Sequence, residues 1–164
     1  MARLVEMSQD YFETYVERSI PEYAAEHVQA GNWEESQALA KARASYEELL
    51  PDGPATKDHF LYAIKGDHED SPAGLLWFAI DRSGSRLKAF VYDLFVEEAC
   101  RRKGYAHEAM LEMEELLRQM GVSRVALHVF GDNSGAMSLY RAIGYQTSDL
   151  IMAKEIDPTP GGPH

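Results

Sequence analysis

The sequence predicts an α/β protein with a mixed central sheet and helices on its faces. The chain has 164 residues, of which 45% are apolar, enough for one domain with a buried core. Its hydrophobic pattern has a helical period near the start, a strand period in the middle, and then alternates between the two. The predicted element order is therefore β-αα-βββ-α-β-α-β, with parallel strand pairing near the end.

One short strand and two helices are predicted in the first third of the chain. Residues 2–7 alternate apolar and polar side chains, which is typical of a strand. Ser8 is a suitable N-cap for the first helix, and we expect that helix to be interrupted at Pro21. A second helical pattern covers residues 33–50 and ends at a Pro-Asp-Gly-Pro turn.

Three strands are predicted next, over residues 59–65, 74–81 and 86–96. The polar segment 82–85 closes a hairpin between the second and third of them. The third strand is long and apolar, so we expect it to be central in the sheet.

Helices and strands alternate in the rest of the chain. The predicted elements are a helix over 104–120, a strand over 123–130, a helix from Asn133 to Gly144, and a strand over 145–156. Residues 1–156 show no linker and predict a single domain, whereas residues 157–164 have the composition of a flexible tail.

Composition excludes several classes of function. The 16 basic residues against 27 acidic ones leave a formal net charge of −11, which disfavours nucleic acid and anionic membrane surfaces as partners. Cys100 is the only cysteine, and the histidines lack metal-ligand spacing, so neither a disulfide nor a metal site is expected. The first residues lack the apolar segment of a signal peptide, and we expect a cytoplasmic protein.

The segment FVEEACRRKGYAHEAM, residues 95–110, has the features of an anion site. A basic run at 101–103 precedes a helix whose N-terminal N–H groups and dipole favour negative charge. Gly104 lets a ligand approach the backbone, and Ala106 keeps the first turn small. A phosphate or pyrophosphate fits such a site, and a solvated basic turn is the alternative.

Three motifs in this order resemble those of the GNAT N-acetyltransferase superfamily. Arg101-x-x-Gly104-x-Ala106 resembles the family's Q/R-x-x-G-x-G/A motif, which holds the pyrophosphate of acetyl-CoA. Leu94-Phe95-Val96 is similar to its L-x-V strand end. The run from Asn133 through Ala136 and Tyr140 to Gly144-Tyr145 resembles its N-x-x-A-x-x-x-Y-x-x-x-G-F/Y segment. The likeness covers nearly the whole chain and is greatest to poorly characterised bacterial members.

The resemblance implies a GNAT-like sheet of about seven strands flanked by about four helices. It implies that acetyl-CoA donates an acetyl group to a primary amine by direct attack, without a covalent enzyme intermediate. The acceptor would be a small-molecule or protein amine, bound where the two N-terminal helices cover the sheet, and a homodimer is possible. A catalytically silent CoA-binding sensor and an enzyme acting on nucleotides or phosphate esters are the alternatives.

The resemblance also implies which residues bind the cofactor. An exposed strand edge at 94–96 can bind the amides of pantetheine as in β-augmentation, and the backbone N–H of Leu94 would be the oxyanion donor. The implied cofactor-binding residues are Leu94, Phe95, Val96, Arg101, Arg102, Lys103, Gly104, Tyr105, Ala106, His107, Asn133, Ala136 and Tyr140.

Tyr140 is the candidate general acid, because a phenol with a reference pKa of about 10 is protonated at neutral pH. The alternative is that Tyr140, which lies on the apolar stripe of its helix, packs in the core. The candidate bases are Asp93, His128 in the strand at 123–130, and a chain of water molecules. Loss of the amine proton without a base is the remaining alternative. Strand alternation places Asp93 on the face opposite Tyr92 and Leu94, which would direct it away from the reaction.

Overall fold

The computed structural model describes residues 1–159 and divides them into two units. The first unit is Met1–His128, and the second begins at Val129. Part of the predicted tail, residues 160–164, lies outside the described residues.

The first unit consists of a five-stranded sheet and three helices. Its elements in chain order are β1 (Ala2–Glu6), α1 (Gln9–Gln29), α2 (Glu35–Leu49), β2 (His59–Gly66), β3 (Gly74–Asp81), β4 (Lys88–Val96), α3 (Tyr105–Gln119) and β5 (Arg124–Leu127). The strands are ordered β1-β2-β3-β4-β5, antiparallel except for the parallel pair β4–β5. The predicted α/β class with a mixed sheet is confirmed.

Helices cover both faces of this sheet. On one face α1 and α2 pack over a core cluster made up of Met7, Tyr15, Leu50, Leu61, Leu75 and Trp77. On the other face α3 packs against β1, β2 and β4, and its Met110, Met113 and Leu117 are fully buried. Carboxylates of Glu108 and Glu112 accept the backbone N–H groups of Ala2 and Leu4 at 2.6 and 2.9 Å, which attach α3 to the edge strand β1.

The prediction that the first helix is interrupted at Pro21 is wrong, because α1 runs through it to Gln29. On either side of the proline, Ile20 and Ala24 are buried against Ala38 and Ala42 of α2. Pro21 itself is exposed. This helix–helix contact stabilises the helix despite the one N–H that proline lacks.

Two predictions about the strands are also corrected. The middle strand of the sheet is β3, buried along almost its whole length, so β4 is internal without being central. Within the described residues, 145–156 form no strand, and the strands number five instead of about seven. Alternation in a sequence expresses only a local tendency, whereas a strand exists only where a neighbour pairs with it.

In the second unit, α4 spans Ser134–Ala142. Its start confirms the predicted cap, since Asn133 Oδ1 accepts the backbone N–H of Ala136 at 3.1 Å. Gly144 follows the helix with φ of 101°, a left-handed conformation suited to a helix end. Among residues 1–159, no helix combines the length and apolarity needed to cross a membrane.

Candidate functional site

Strand β4 contains a bulge at Tyr92. Trp77 of β3 pairs with Asp93, whereas the next residue, Phe78, pairs with Val91. Tyr92 is thus an extra residue on β4, and its ring stacks on the ring of Trp77 at a centroid distance of 4.6 Å. Tyr92 and Asp93 therefore both face α1 and α2. The prediction that they lie on opposite faces is wrong, because a bulge interrupts the alternation of side chains.

Beyond the bulge, β4 loses its partner on one side. Its pairing with β5 runs from Lys88–Arg124 to Val91–Leu127, where β5 ends, while β4 continues to Val96. In the first unit, residues 93–96 therefore pair with β3 only, and Tyr92 is the bulged residue before them. We call the other side of this segment the open edge of β4. Such an edge presents backbone donors and acceptors that can bind an extended chain.

The backbone groups of Leu94 and Val96 point toward the open edge. The N–H of Glu97 donates to the Ala73 carbonyl at 2.8 Å, which turns Glu97 toward the strand next to it. Since backbone groups alternate in direction along a strand, Phe95 faces β3 and Leu94 and Val96 face away from it. The Val96 carbonyl accepts a hydrogen bond from Arg101 Nε at 3.0 Å, which agrees with this orientation.

The N-terminus of α3 lies a few residues beyond this edge in the chain. Gly104 occupies the N-cap position with φ of 82°, and no side chain among residues 1–159 caps the helix. A Cβ placed on Gly104 would have no heavy atom of the described residues within 4 Å, so these residues leave the approach to the first-turn N–H groups open. Tyr105 is buried, whereas His107 is exposed. The residues at this helix start fit the anion site that the sequence predicts.

The side chains of the basic run differ in what they contact. Arg101 donates to the Val96 carbonyl, as described above. Lys103 Nζ forms an ion pair with Glu69 at 2.8 Å. Arg102 is exposed and adopts a left-handed φ of 62°. Of the three basic side chains, Arg101 and Lys103 thus contact other groups of the protein, whereas Arg102 is exposed in the turn before Gly104.

Asp93 is held by a hydrogen bond from α1. The hydroxyl of Tyr15 donates to Asp93 Oδ2 at 2.8 Å. Burial raises the pKa of Asp93 above its ordinary value, whereas the Tyr15 hydroxyl and the neighbouring backbone N–H of Leu94 favour the charged carboxylate and act in the opposite direction. The structure thus places a partly buried carboxyl group, with a raised pKa, beside the open edge of β4.

Helix α1 presents further polar groups to the same end of β4. Arg18 forms an ion pair with Glu97 at 3.0 Å. Its guanidinium lies over the Phe95 ring, 4.6 Å from the centroid, an arrangement typical of cation–π contacts. The carboxylate of Glu22 acts on Asp93 electrostatically and raises its pKa, while Arg18 lowers it.

The rings of Trp77, His59 and Phe90 lie around Tyr92. The indole N–H of Trp77 donates to Nδ1 of His59 at 3.0 Å, so Nε2 carries the proton in the neutral imidazole. Burial lowers the pKa of His59, which favours this neutral form. The Tyr92 ring lies 5.7 Å from His59 and 5.1 Å from Phe90.

The predicted site residue His128 comes immediately after β5 and not within it, because the strand ends at Leu127 when β4 and β5 stop pairing. In the second unit, the rings of Tyr140 and Tyr145 are 5.9 Å apart in an edge-to-face arrangement. Among residues 1–159, no group of three or more His, Cys, Asp or Glu side chains could hold a metal ion.

From the sequence, Tyr15 could be interpreted only as a core residue or as part of an aromatic amine pocket, and neither its contact with Asp93 nor the place of His59 in this site was predicted. Tyr15 has the spacing of a core residue on α1, and it lies 78 positions before the carboxylate that it contacts. No local pattern identifies such a long-range contact. A polar atom on an otherwise apolar helix face was the one available signal, since a buried phenol hydroxyl usually has a hydrogen-bond partner.

Comparisons with known proteins point to one family. The sequence model of the acetyltransferase (GNAT) family matches residues 6–145. The uncharacterized N-acetyltransferases YdgE and YycN of Bacillus subtilis (strain 168) are 32% and 33% identical to the chain over 153 residues, covering 93% of it and 97% of each relative.

Solved structures with a similar fold include two putative acetyltransferases. The crystal structure of the putative acetyltransferase YycN from Bacillus subtilis has a TM-score of 0.83 at 33% identity, covering 95% of this chain and 99% of that one. A putative acetyl transferase from Pyrococcus furiosus has a TM-score of 0.69 at 21% identity and shares the fold, covering 95% of this chain and 100% of that one.

Proposed function

The chain belongs to the acetyltransferase (GNAT) family, and from this we propose that it transfers an acetyl group from acetyl-CoA to a primary amine by direct attack. The observation that carries the proposal is the open edge of β4, which begins at the bulge, continues through Leu94 and Val96, and is followed by the uncapped start of α3. A strand edge and an anion site in this succession match a ligand made of a polyamide arm and a pyrophosphate.

The residues present fit such a ligand. The first-turn N–H groups of α3, beginning at Tyr105, would hold the pyrophosphate, with space provided by Gly104. The outward groups of Leu94 and Val96 would bind the pantetheine amides, which requires the Val96 carbonyl to exchange its hydrogen bond with Arg101. When bound, acetyl-CoA supplies an activated acetyl group and a thiolate leaving group.

We assign the general base to Asp93. The attacking amine nitrogen forms a bond to the acetyl carbon, the carbon–sulfur bond breaks, and the amine proton passes to the Asp93 carboxylate directly or through water. A raised pKa suits this task, since a base is most effective when its pKa lies near the working pH. His128, the other candidate, lies beyond the end of β5. Tyr140 stays our candidate for giving a proton to the thiolate.

The N–H of Leu94 is the proposed oxyanion donor. The same N–H group favours the charged form of the neighbouring Asp93 carboxylate, so the carboxylate and the developing oxyanion both interact with its partial positive charge. Protonation of Asp93 removes the carboxylate charge and leaves this N–H group to the oxyanion. Proton uptake by the base and release of the donor to the oxyanion are thereby coupled.

Thiol release from acetyl-CoA tests the proposal. The amine panel contains spermidine, kanamycin, glycinamide and a peptide with a free α-amine, and Asp93→Asn serves as the inactive control. We expect at least one amine to drive release with the natural protein only. Tight CoA binding without any release would favour a silent CoA-binding module, and ATP binding without CoA binding would favour a nucleotide enzyme. A cytoplasmic location and a homodimer stay predictions.

A further inference from the structure

We propose that Tyr15 of α1 is a positioning residue for Asp93, so that α1 forms one wall of the acetyl-transfer site. This inference rests on the proposed function, in which Asp93 is the base. Tyr15 is 2% exposed, and its hydroxyl donates to Asp93 Oδ2 at 2.8 Å. A buried phenol locked by packing can fix a carboxylate in one orientation.

The bulge in β4 and the spacing of side chains on α1 together bring Asp93 and Tyr15 into contact. The bulge at Tyr92 turns Asp93 toward α1, where an unbroken strand would turn it away. On α1, Tyr11, Tyr15, Arg18 and Glu22 are spaced by four, three and four residues, which places them on one face of the helix. Within that face, Tyr15 contacts Asp93 and Arg18 contacts Glu97 just after β4.

The phenol acts as a donor and not as a second base. Burial and the nearby carboxylate raise the pKa of Tyr15 far above its ordinary value, so the hydroxyl keeps its proton. The charged and titratable groups that interact with Asp93 are Tyr11, Tyr15, Arg18 and Glu22 from α1 and Tyr46 from α2. Tyr11 interacts with the carboxylate only through its charge, and it is neutral over the pH range in which Asp93 titrates. Among these, Tyr15 donates a side-chain hydrogen bond to the carboxylate, and this bond stabilises the charged form.

The test compares Tyr15→Phe with the matched control Tyr11→Phe. Tyr11 lies one turn earlier on the same face, and within the described residues its hydroxyl has no hydrogen-bond partner. The Asp93 pKa is measured by carbon-13 NMR, with the signal assigned from its loss in Asp93→Asn. Acetyl transfer is measured against pH with the fastest amine among spermidine, kanamycin, glycinamide and the peptide.

We expect Tyr15→Phe to raise the pKa of Asp93 by about one unit or more, the size of a lost charge-assisted hydrogen bond. The acid limb of kcat/KM should move to higher pH by the same amount, with KM for acetyl-CoA unchanged within about twofold. Tyr11→Phe should change neither. If Tyr15→Phe does not fold, 3,5-difluorotyrosine at position 15 keeps the contact with a stronger donor and should lower the pKa of Asp93 instead.

Two results would overturn the inference, and they differ in what they imply for the proposed function. An unchanged Asp93 pKa in folded Tyr15→Phe, together with inactive Asp93→Asn, would remove the role of Tyr15 and leave the base in place. Full activity of Asp93→Asn would instead show that Asp93 is not the base, and the role of Tyr15 would end with it.

Discussion

Gly74→Ala should disturb the open edge of β4 from the opposite side of the strand. Gly74 begins β3 and pairs with Val96. A Cβ at this position would lie 2.1 Å from the Phe95 carbonyl oxygen and 2.9 Å from Val96 Cα. Both obstacles are backbone atoms of β4, which cannot avoid the methyl group by changing a rotamer. The strand itself has to move.

The size of the effect follows from that overlap. Relieving the contact with Phe95 requires a displacement of about 1 Å, and we expect a loss of about 3 kcal/mol in the free energy of unfolding, the upper end of the range for overpacking. For a domain of this size that corresponds to a fall of roughly 6–12 °C in Tm. Because Leu94 and Val96 move with the strand, KM for acetyl-CoA should also rise, by about tenfold or more.

Gly84→Ala is the matched control. Gly84 lies in the turn between β3 and β4, and its nearest neighbour for an added Cβ is the Arg86 carbonyl oxygen at 3.8 Å, an ordinary contact. We expect its stability to stay within about 0.5 kcal/mol of the natural protein. Thermal melting gives the Tm of each variant, and steady-state kinetics gives its KM for acetyl-CoA. If Gly74→Ala melts and binds like Gly84→Ala, β3 does not hold the open edge in place.

Four further predictions concern the cofactor site and the proposed acid and base. Gly104→Glu should weaken CoA binding about tenfold or more, measured by calorimetry, because it places a negative charge in the open space of the proposed anion site. The control Gly104→Ala has the same left-handed strain without the charge and should bind CoA more tightly than Gly104→Glu. Lys103→Met should change CoA affinity no more than about twofold, since its ammonium pairs with Glu69. Tyr140→Phe should lower kcat about 100-fold and leave CoA binding nearly unchanged, and equal turnover would exclude Tyr140 as the acid. Asp93→Asn should raise Tm at pH 8, and this gain over the natural protein should disappear toward pH 4. Burial raises the pKa of folded Asp93, so the contribution of its carboxyl group to stability is present below the unfolded pKa and is lost as pH rises through the folded pKa.

Local chemistry was sufficient to predict the elements that frame the cofactor site. The bounds of β3 agree with its run of apolar residues between polar turns. Helix α3 follows its apolar stripe and begins directly after Gly104. Asn133 caps α4 through the contact that its side chain can make only with nearby backbone. Each of these features depends on residues within a few positions of one another.

Long-range contacts changed the remaining predictions. Helix α1 passes through Pro21 because α2 packs against it on both sides of the proline. Residues 145–156 alternate like a strand, yet they form none in the described structure. In both cases the presence or absence of a packing partner decided the structure against the local tendency. The periodicity of a sequence gives no information about such a partner.

The sequence by itself determined the α/β class and the family, and it predicted the glycine N-cap at the start of α3 where we propose that an anion binds. The tertiary structure decided which way Asp93 points. The bulge at Tyr92 is visible only when β3 and β4 are paired, and Tyr15 meets the carboxylate only because α1 packs across the sheet. The residues of a motif lie close together in the sequence, so their pattern can be recognised there. The orientation of a base depends instead on strand register and on helices far away in the sequence.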